Sequence, residues 1–396
     1  MRVLVLNPGS SSLKSSVIET ASIPVAGVDG IVPAASEESL APLRELDVDW
    51  GADATTGGDP GHDIRSLVAK YEAAGISPAS LAGVGYRVVQ GGSIFRQPVL
   101  VTPEVIGQVK ALADLAPLHN GVAAAAMTRG LAVLPNLPHV AVFDTAFHAT
   151  LPEDAYRYAV PDRWYREWGI RRYGFHGISV AWSVERAAAL LGRPVDELRI
   201  VVAHLGSGCS VTAVDKGRSV ATSMGLTPLE GLMMGTRTGS IDPGILFYLL
   251  RNRHLNPDEL AEDVQHQSGL LGVSGKTSDV RDLLSLEAGG DGPAKLALEI
   301  FVRRAAECVA AAATSLQELD AIVFTGGIGE NAGLLRARIV GRLTALGFAP
   351  IGDAAVGSDA ILSETRAVPA VLRIEAREDL VVAREVARTV APTPAN

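Results

Sequence analysis

The chain uses one local frame twice. Arg2-Val3-Leu4-Val5-Leu6 is a short apolar run that breaks into Asn7-Pro8-Gly9-Ser10-Ser11-Ser12 and resumes as Leu13-Lys14-Ser15-Ser16-Val17-Ile18. A strand, a tight Gly/Ser turn and a second strand is the pattern this spells. A shift of 197 residues takes Gly9 to Gly206, and the frame recurs. Arg199-Ile200-Val201-Val202-Ala203 leads into His204-Leu205-Gly206-Ser207-Gly208-Cys209-Ser210 and then Val211-Thr212-Ala213-Val214. Arg2 and Arg199, Ser10 and Ser207, and Val17 and Val214 coincide under the same shift. A frame at the start and again near the middle of the chain implies two related halves.

Such a loop suits a particular chemistry. Glycine lets the backbone turn sharply and approach a ligand. Successive N–H groups and Ser hydroxyls then face one anion. Two such loops facing each other across a cleft would hold a polyphosphate, with Lys14 adding a point charge. The competing reading of either loop alone is an ordinary hairpin. The net charge of −9 argues against nucleic acid or an anionic membrane as the main partner, so an anionic substrate needs a local cluster of Lys and Arg. Cys209 and Cys308 are the only cysteines, which leaves no disulfide framework and no zinc pattern. No apolar run reaches the ~20 residues needed to span a membrane. A soluble cytoplasmic protein is expected.

Along the chain, strands and helices alternate as in an α/β protein. Ile64–Ala73 reads as a helix and Val84–Val89 as a strand carrying Arg87. Thr102 caps a helix whose first position is Pro103. His139–Phe143 is a strand ending in Asp144, at the sheet edge where α/β folds place their ligands; the alternative for Asp144 is the cap of the next helix. Leu151–Arg172 reads as irregular and aromatic, and Ser179 as the cap of a helix running to Leu191. Asn256-Pro257-Asp258-Glu259 spells a capping box. Asp320–Phe324 is a strand leading into the glycine turn Gly326–Gly329, which lacks the full dinucleotide spacing. A last strand at Val371–Ile374 precedes a helix starting near Glu378, whose stripe of Leu380, Val381, Ala383 and Val386 is suited to docking onto the first half.

The long loop 222–244 has too many glycines for a helix and too few charges for a solvated linker. Loops of this length inside a compact domain are usually functional, and Arg237 is the cation in it best placed to meet a substrate. His119, His148, His176 and His204 each admit the reading of a hydrogen-bonded core histidine; His176, between Phe175 and Gly177, is the one expected nearest a cleft.

These residues resemble a known family, the acetate kinases, within the superfamily of acetate and sugar kinases, heat-shock ATPases and actin. LNPGSSSLK, LAPLHN, FDTAFH, RRYGFHG, SMGLTPLEGLMMGTRTG, SGLLGVSG and FTGGIGENA stand in the family's order, and the similarity runs from Met1 to about Ala387. The resemblance implies two actin-like (ribonuclease H-like) α/β domains from a duplicated βββαβαβα core with a ligand cleft between them. The first would be residues 1–147 plus 379–396, and the second, nucleotide-binding, residues 148–378. It implies reversible phosphoryl transfer between ATP and acetate, giving acetyl phosphate and ADP, in a cytoplasmic homodimer that uses Mg²⁺ or Mn²⁺. Propionate kinase, or a nucleotide-binding ATPase without carboxylate turnover, are the alternatives.

Carried over by residue, the resemblance gives Asn7 and Glu378 to the metal and Lys14 to ATP. His204, Leu205, Gly206, Ser207 and Gly208 would cradle phosphates. Asp279, Val280, Arg281, Gly327, Ile328, Gly329, Glu330 and Asn331 would bind the nucleoside. Arg87 would hold the carboxylate, Asp144 would orient or exchange protons, and His176 and Arg237 would stabilise the transition state. Val89, Leu118, Phe175 and Pro228 would surround the substrate's methyl group. Gln90, Ser207, Ala221 and Ser240 depart from the residues usual in the family.

Overall fold

The structure is a computed structural model that describes residues 1–9, 12–23, 41–49, 62–117, 119–353, 357–364 and 367–391. Ser10, Ser11 and Leu118 lie outside the described residues, as does most of Ala21–Pro60. The chain divides into two compact units. One comprises residues 1–149, 175–182 and 377–396; the other comprises 150–174 and 183–376.

The first unit holds a six-stranded sheet built from β1 (Arg2–Pro8), β2 (Ser12–Glu19), β3 (Arg44–Asp49), β4 (Leu81–Val88), β5 (Val99–Leu100) and β6 (His139–Phe143). Its spatial order is β3-β2-β1-β4-β6-β5. The second unit holds β7 (Arg199–Leu205), β8 (Cys209–Asp215), β9 (Arg218–Thr222), β10 (Ala321–Thr325), β11 (Ala360–Ile361) and β12 (Ala370–Arg373), in the order β11-β12-β10-β7-β8-β9. Read from the other edge, this is the same sequence of strands. The pairing senses agree too: β1 runs antiparallel to β2 and parallel to β4, as β7 does to β8 and β10. The central strands are apolar runs because both faces are covered; β6 and β10 are buried throughout. The duplication read from the Gly/Ser frames is thus a duplication of topology.

Several local readings hold. Thr102 accepts a hydrogen bond from Val105 N at 3.3 Å, and Asn256 and Glu259 form the reciprocal capping box. Other readings change. The helix assigned to a Ser179 cap begins at Gly177, leaving Ser179 fully buried in its first turns. The cause is a close approach. Gly177 N–H donates to Asp144 O at 2.9 Å, and a Cβ on Gly177 would lie 2.2 Å from that oxygen. The turn at Gly326–Gly329 winds into a short helix, Gly326–Asn331. The aromatic stretch contains two short helices, Glu153–Tyr156 and Asp162–Trp168.

The last helix, Glu378–Val390, follows β12 of the second sheet but packs on the first. Leu380, Val381, Ala383 and Val386 are all buried. Burying each Val or Leu contributes about 1.5–3 kcal/mol. The approach needs glycine on β4: a Cβ at Gly85 would fall 2.6 Å from Val382 Cγ1 and one at Gly83 2.9 Å from Val386 Cγ1.

Candidate active site

In the first unit, β4 delivers Arg87 and β6 ends at Asp144. Asp144 N–H donates to Val88 O at 2.9 Å, so the carboxylate is held at the end of the sheet. Arg87 Nη2 and Nε donate to Asp144 Oδ2 at 2.7 and 3.2 Å. On the guanidinium's other side, Nη1 lies 2.7 Å from Glu378 Oε2, at the start of the last helix. Burial works to lower the Arg87 pKa, but Asp144 and Glu378 carry it above the ordinary arginine value. Burial pushes the Glu378 carboxyl up to about 7, against the pull of Arg87 and Lys14 and with the push of Asp144 and Asp379.

The surrounding backbone is fixed by buried polar groups. Asn120 Nδ2 donates to Gln90 O at 2.8 Å, and Gln90 N–H returns a bond to Asn120 Oδ1. Gln90 Oε1 accepts from Gly92 N, and Thr145 Oγ1 accepts from Gly91 N. Val89 is half-buried in this segment. Phe175 is buried, and its carbonyl accepts a 2.9 Å bond from His148 Nε2. Burial pulls His148 down to about 4, so it stays a neutral donor. Next to it, His176 has φ = 59°, a left-handed backbone uncommon for a residue with a side chain. Such strain persists where the surroundings over-determine it, and it clusters at functional sites. Asn7 is half-buried near the end of β1 and pairs across the sheet with the exposed Lys14.

In the second unit, β7 ends in the Gly/Ser loop. His204 is half-buried, Leu205 buried and Ser207 exposed. Gly206 N–H closes the loop onto Gly208 O at 3.0 Å. The helix Gly326–Asn331 abuts it, since a Cβ on Gly206 would lie 3.9 Å from Gly327 N, and one on Gly326 would lie 2.8 Å from Leu205 O. The strand–loop and the strand–helix turn are therefore brought together, as a phosphate cradle requires. Asn331 Nδ2 donates to Gly327 O. Glu330 spends one oxygen on Ala376 N–H at 2.9 Å. Asp279 caps the helix Val280–Ala288 and pairs with the exposed Arg281, which is the main reason its carboxyl falls to about 2. Gly235 N–H donates to Ser207 O at 3.4 Å, tying the Arg237 loop to the Gly/Ser loop.

Arg237 is held differently from Arg87. Its Nη1 donates to Pro228 O at 3.0 Å and lies 3.9 Å from Met234 Sδ. Among the described residues, no carboxylate pairs with it. Burial lowers its pKa, with only the Cys209 thiol opposing. A half-buried cation met by neutral acceptors is a site that favours an incoming anion.

The sequence model of the Acetokinase family matches residues 2–384. The chain belongs to the acetokinase family. A protein of Deinococcus radiodurans named acetate kinase is 45% identical to it over 98% of both chains. The solved acetate kinase of Porphyromonas gingivalis is similar with a TM-score of 0.85 at 31% identity, covering 98% of this chain and all of that one. A solved propionate kinase from Francisella tularensis is similar with a TM-score of 0.83 at 36% identity, covering 97% and 98%. The two sheets of identical order are the actin-like duplicated core of this family.

A metal ion accompanies ATP in such kinases, and the residues here suit one. Among the described residues no group of three or more His, Cys, Asp or Glu is arranged to hold a metal. Mg²⁺ does not require that, because it is commonly bound through one or two carboxylates plus water and substrate phosphates. The Arg87 cluster has two carboxylates for one guanidinium, and burial raises the pKa of the Glu378 carboxyl. The Glu378 carboxylate and the Asn7 amide are hard oxygen donors of the right kind.

Sequence reasoning overlooked part of the acetokinase site's support. Asn120 and Thr145, both inside recognised motifs, hold the segment after Arg87. His148, read from the sequence as a hydrogen-bonded core histidine, holds the Phe175 carbonyl. Tyr158, Arg172 and Glu230 hold the loop below Arg237. Nothing in their local spacing announces this, because the partners are far apart in the chain.

Proposed function

We propose that the protein is an acetate kinase, transferring the γ-phosphoryl group of ATP reversibly to acetate to give acetyl phosphate and ADP. Family membership supplies the reaction class. The structural observation that supports it most is Arg237, a half-buried guanidinium that meets only neutral acceptors among the described residues. In the forward direction a carboxylate oxygen forms a bond to Pγ. The bond from Pγ to the β,γ-bridging oxygen breaks, and ADP leaves with its electron pair. Acetate is ionised at pH 7, so no proton need be removed from it. Asp144 then serves to orient Arg87, and Arg87 holds the acceptor carboxylate.

The transferring group spreads negative charge over three oxygens, so fixed cations and donors carry most of the catalysis. Arg237 and His176 take that role, with His204–Gly208, Lys14, Asp279–Arg281 and Gly327–Asn331 on the nucleotide. Asn7 and Glu378 would hold Mg²⁺, which supplies charge neutralisation on the phosphates. Val89, Leu118, Phe175 and Pro228 would be the residues to meet the methyl group, as the family resemblance implies. The functional domains are residues 1–147 with 379–396, and 148–378. The protein acts in the cytoplasm as a homodimer. The helix Pro243–Asn252 supports the dimer, since it buries none of its residues and exposes Ile245, Phe247 and Tyr248 by 45, 57 and 52%.

An ATP-dependent hydroxamate assay tests the reading. Acetate should give acyl hydroxamate with Mg²⁺ present, and propionate less. Absence of product with both acids, in protein that binds ATP, would refute carboxylate kinase activity.

A further inference from the structure

We propose that Tyr158, Arg172 and Glu230 form a clamp that positions Arg237 for catalysis, a role that rests on the acetate kinase reading above. The segment Ser223–Gly231 is a loop whose ends touch. A Cβ on Gly231, at φ = 108°, would lie 2.9 Å from Ser223 Oγ. Compact loops of this kind are held by their own side chains. Here the side chain is Glu230, which folds back across the loop. One of its oxygens accepts from Tyr158 Oη. The other accepts from Arg172 Nη2 at 2.7 Å.

Both partners also grip the start of the loop. Arg172 Nη1 donates to Ser223 O at 2.9 Å and Met224 O at 3.1 Å. Tyr158 Oη accepts from Leu226 N–H at 3.0 Å. Tyr173 N–H donates to Gly225 O at 3.0 Å. Gly225 has no room for a side chain, since its Cβ would lie 2.1 Å from Tyr158 Oη and 2.0 Å from Glu230 Oε2. The Arg172 guanidinium stands 5.2 Å from the centre of the Tyr158 ring.

These bonds fasten residues 223–226 and 230 and leave Thr227, Pro228 and Leu229 as the apex. The apex carries the carbonyl of Pro228, on which Arg237 Nη1 rests at 3.0 Å. Among the described residues no carboxylate pairs with Arg237, and that carbonyl and Met234 Sδ are the contacts that hold its guanidinium. Glu230 thus acts on Arg237 mechanically, through the loop, while its charge is spent on Arg172. A displacement of about 1 Å in such a group can cost on the order of 10²-fold in rate.

The test is a double-mutant cycle with an independent structural readout. Glu230→Gln and Tyr158→Phe keep size and shape but weaken the clamp. Each should lower kcat by about tenfold to a hundredfold with the ATP KM within about twofold of wild type. In an Arg237→Ala background, Glu230→Gln should cost less than about twofold more, because both changes act through one group. Equal factors in the two backgrounds would overturn the proposal. Amide hydrogen exchange of peptides covering 223–240 requires no turnover. It should quicken by about tenfold in either variant, and wild-type exchange would overturn the clamp whatever the wild-type enzyme does with acetate. Should Glu230→Gln not fold, Tyr158→Phe, which removes a single oxygen, carries both measurements.

Discussion

The two sheets have one topology and opposite chemistry at their ends. Leu6 pairs with Tyr86 in the first, and Ala203 with Phe324 in the second. One residue further along, the first sheet presents Arg87 and the second Thr325. Asp144, just beyond β6, matches Ala376 beyond β12 when the strand registers are extended. The first half therefore carries at its strand ends an ion triad of Arg87, Asp144 and Glu378, of which Asp144 is buried and the other two are half-buried. The second places Thr325 and Ala376 at the matching positions, next to the glycine turn, with the Glu330 carboxylate accepting from Ala376 N–H. Its candidate cation, Arg237, comes from a loop and meets a carbonyl. Duplication supplied the frame, and on the proposed reading each half uses the same edge for a different ligand: a small carboxylate held by charge, and phosphates held by backbone.

The sharpest break in this comparison is Arg237→Ala. Among the described residues no carboxylate offsets its charge, and if that charge serves the transition state as proposed, kcat should fall by about 10³ or more, within the arginine-finger range. Arg237→Lys should recover little, since an ammonium lacks the planar fork. Near-normal turnover by the Ala variant would remove Arg237 from the mechanism.

Arg87→Ala should behave differently in kind. It should raise the acetate KM by about 10²-fold while moving the ATP KM little. It also leaves Asp144 and Glu378 buried without their cation, which typically costs about 3–5 kcal/mol of stability. Steady-state kinetics alongside thermal unfolding separate the two. Equal changes in both KM values would reassign Arg87 to a purely structural role.

The third test uses pH. His148 stays neutral in the fold, with a pKa near 4, whereas the unfolded residue titrates near 6.5. The folded pKa is depressed, so on falling pH the unfolded chain takes up a proton first. The stabilisation is complete above about pH 6.5 and declines as pH drops from there towards 4, by up to about 3 kcal/mol. His148→Gln, which keeps an N–H for Phe175 O, should flatten that part of the unfolding profile. An unaltered slope between pH 6.5 and 4 would show that His148 does not carry it.

The smallest effect expected is Gly85→Ala. The matching residue of the second sheet is Val323, which carries a side chain in a fully buried position. On β4 the added methyl meets Val382 and Val386, and overpacking of this kind costs about 1–3 kcal/mol. Urea titration measures it, and a neutral or stabilising outcome would contradict the tight docking of the last helix.

Much of this was legible before any coordinates. The apolar runs ending in Gly/Ser marked β1 and β7. The strand signal before Asp144 placed it at a sheet edge, and the Pro and Asn caps marked helix starts where Thr102 and Asn256 stand. Ser179 misled because a local cap signal was outweighed by the contact of Gly177 with Asp144 O. The glycines after β10 read as a turn, yet the strand–helix junction winds them into helix Gly326–Asn331.

By itself, then, the sequence determined what local chemistry can encode: where strands alternate with helices, that the plan is used twice, and which motifs carry glycine, arginine and histidine. Tertiary structure alone decided the partnerships. Arg87 meets Glu378, Glu230 meets Tyr158 and Arg172, and a helix that follows the second sheet packs on the first. The physical reason is that propensities and caps act over a few residues. A buried charge takes whichever partner the completed fold brings to it, and its pKa and function follow from that partner.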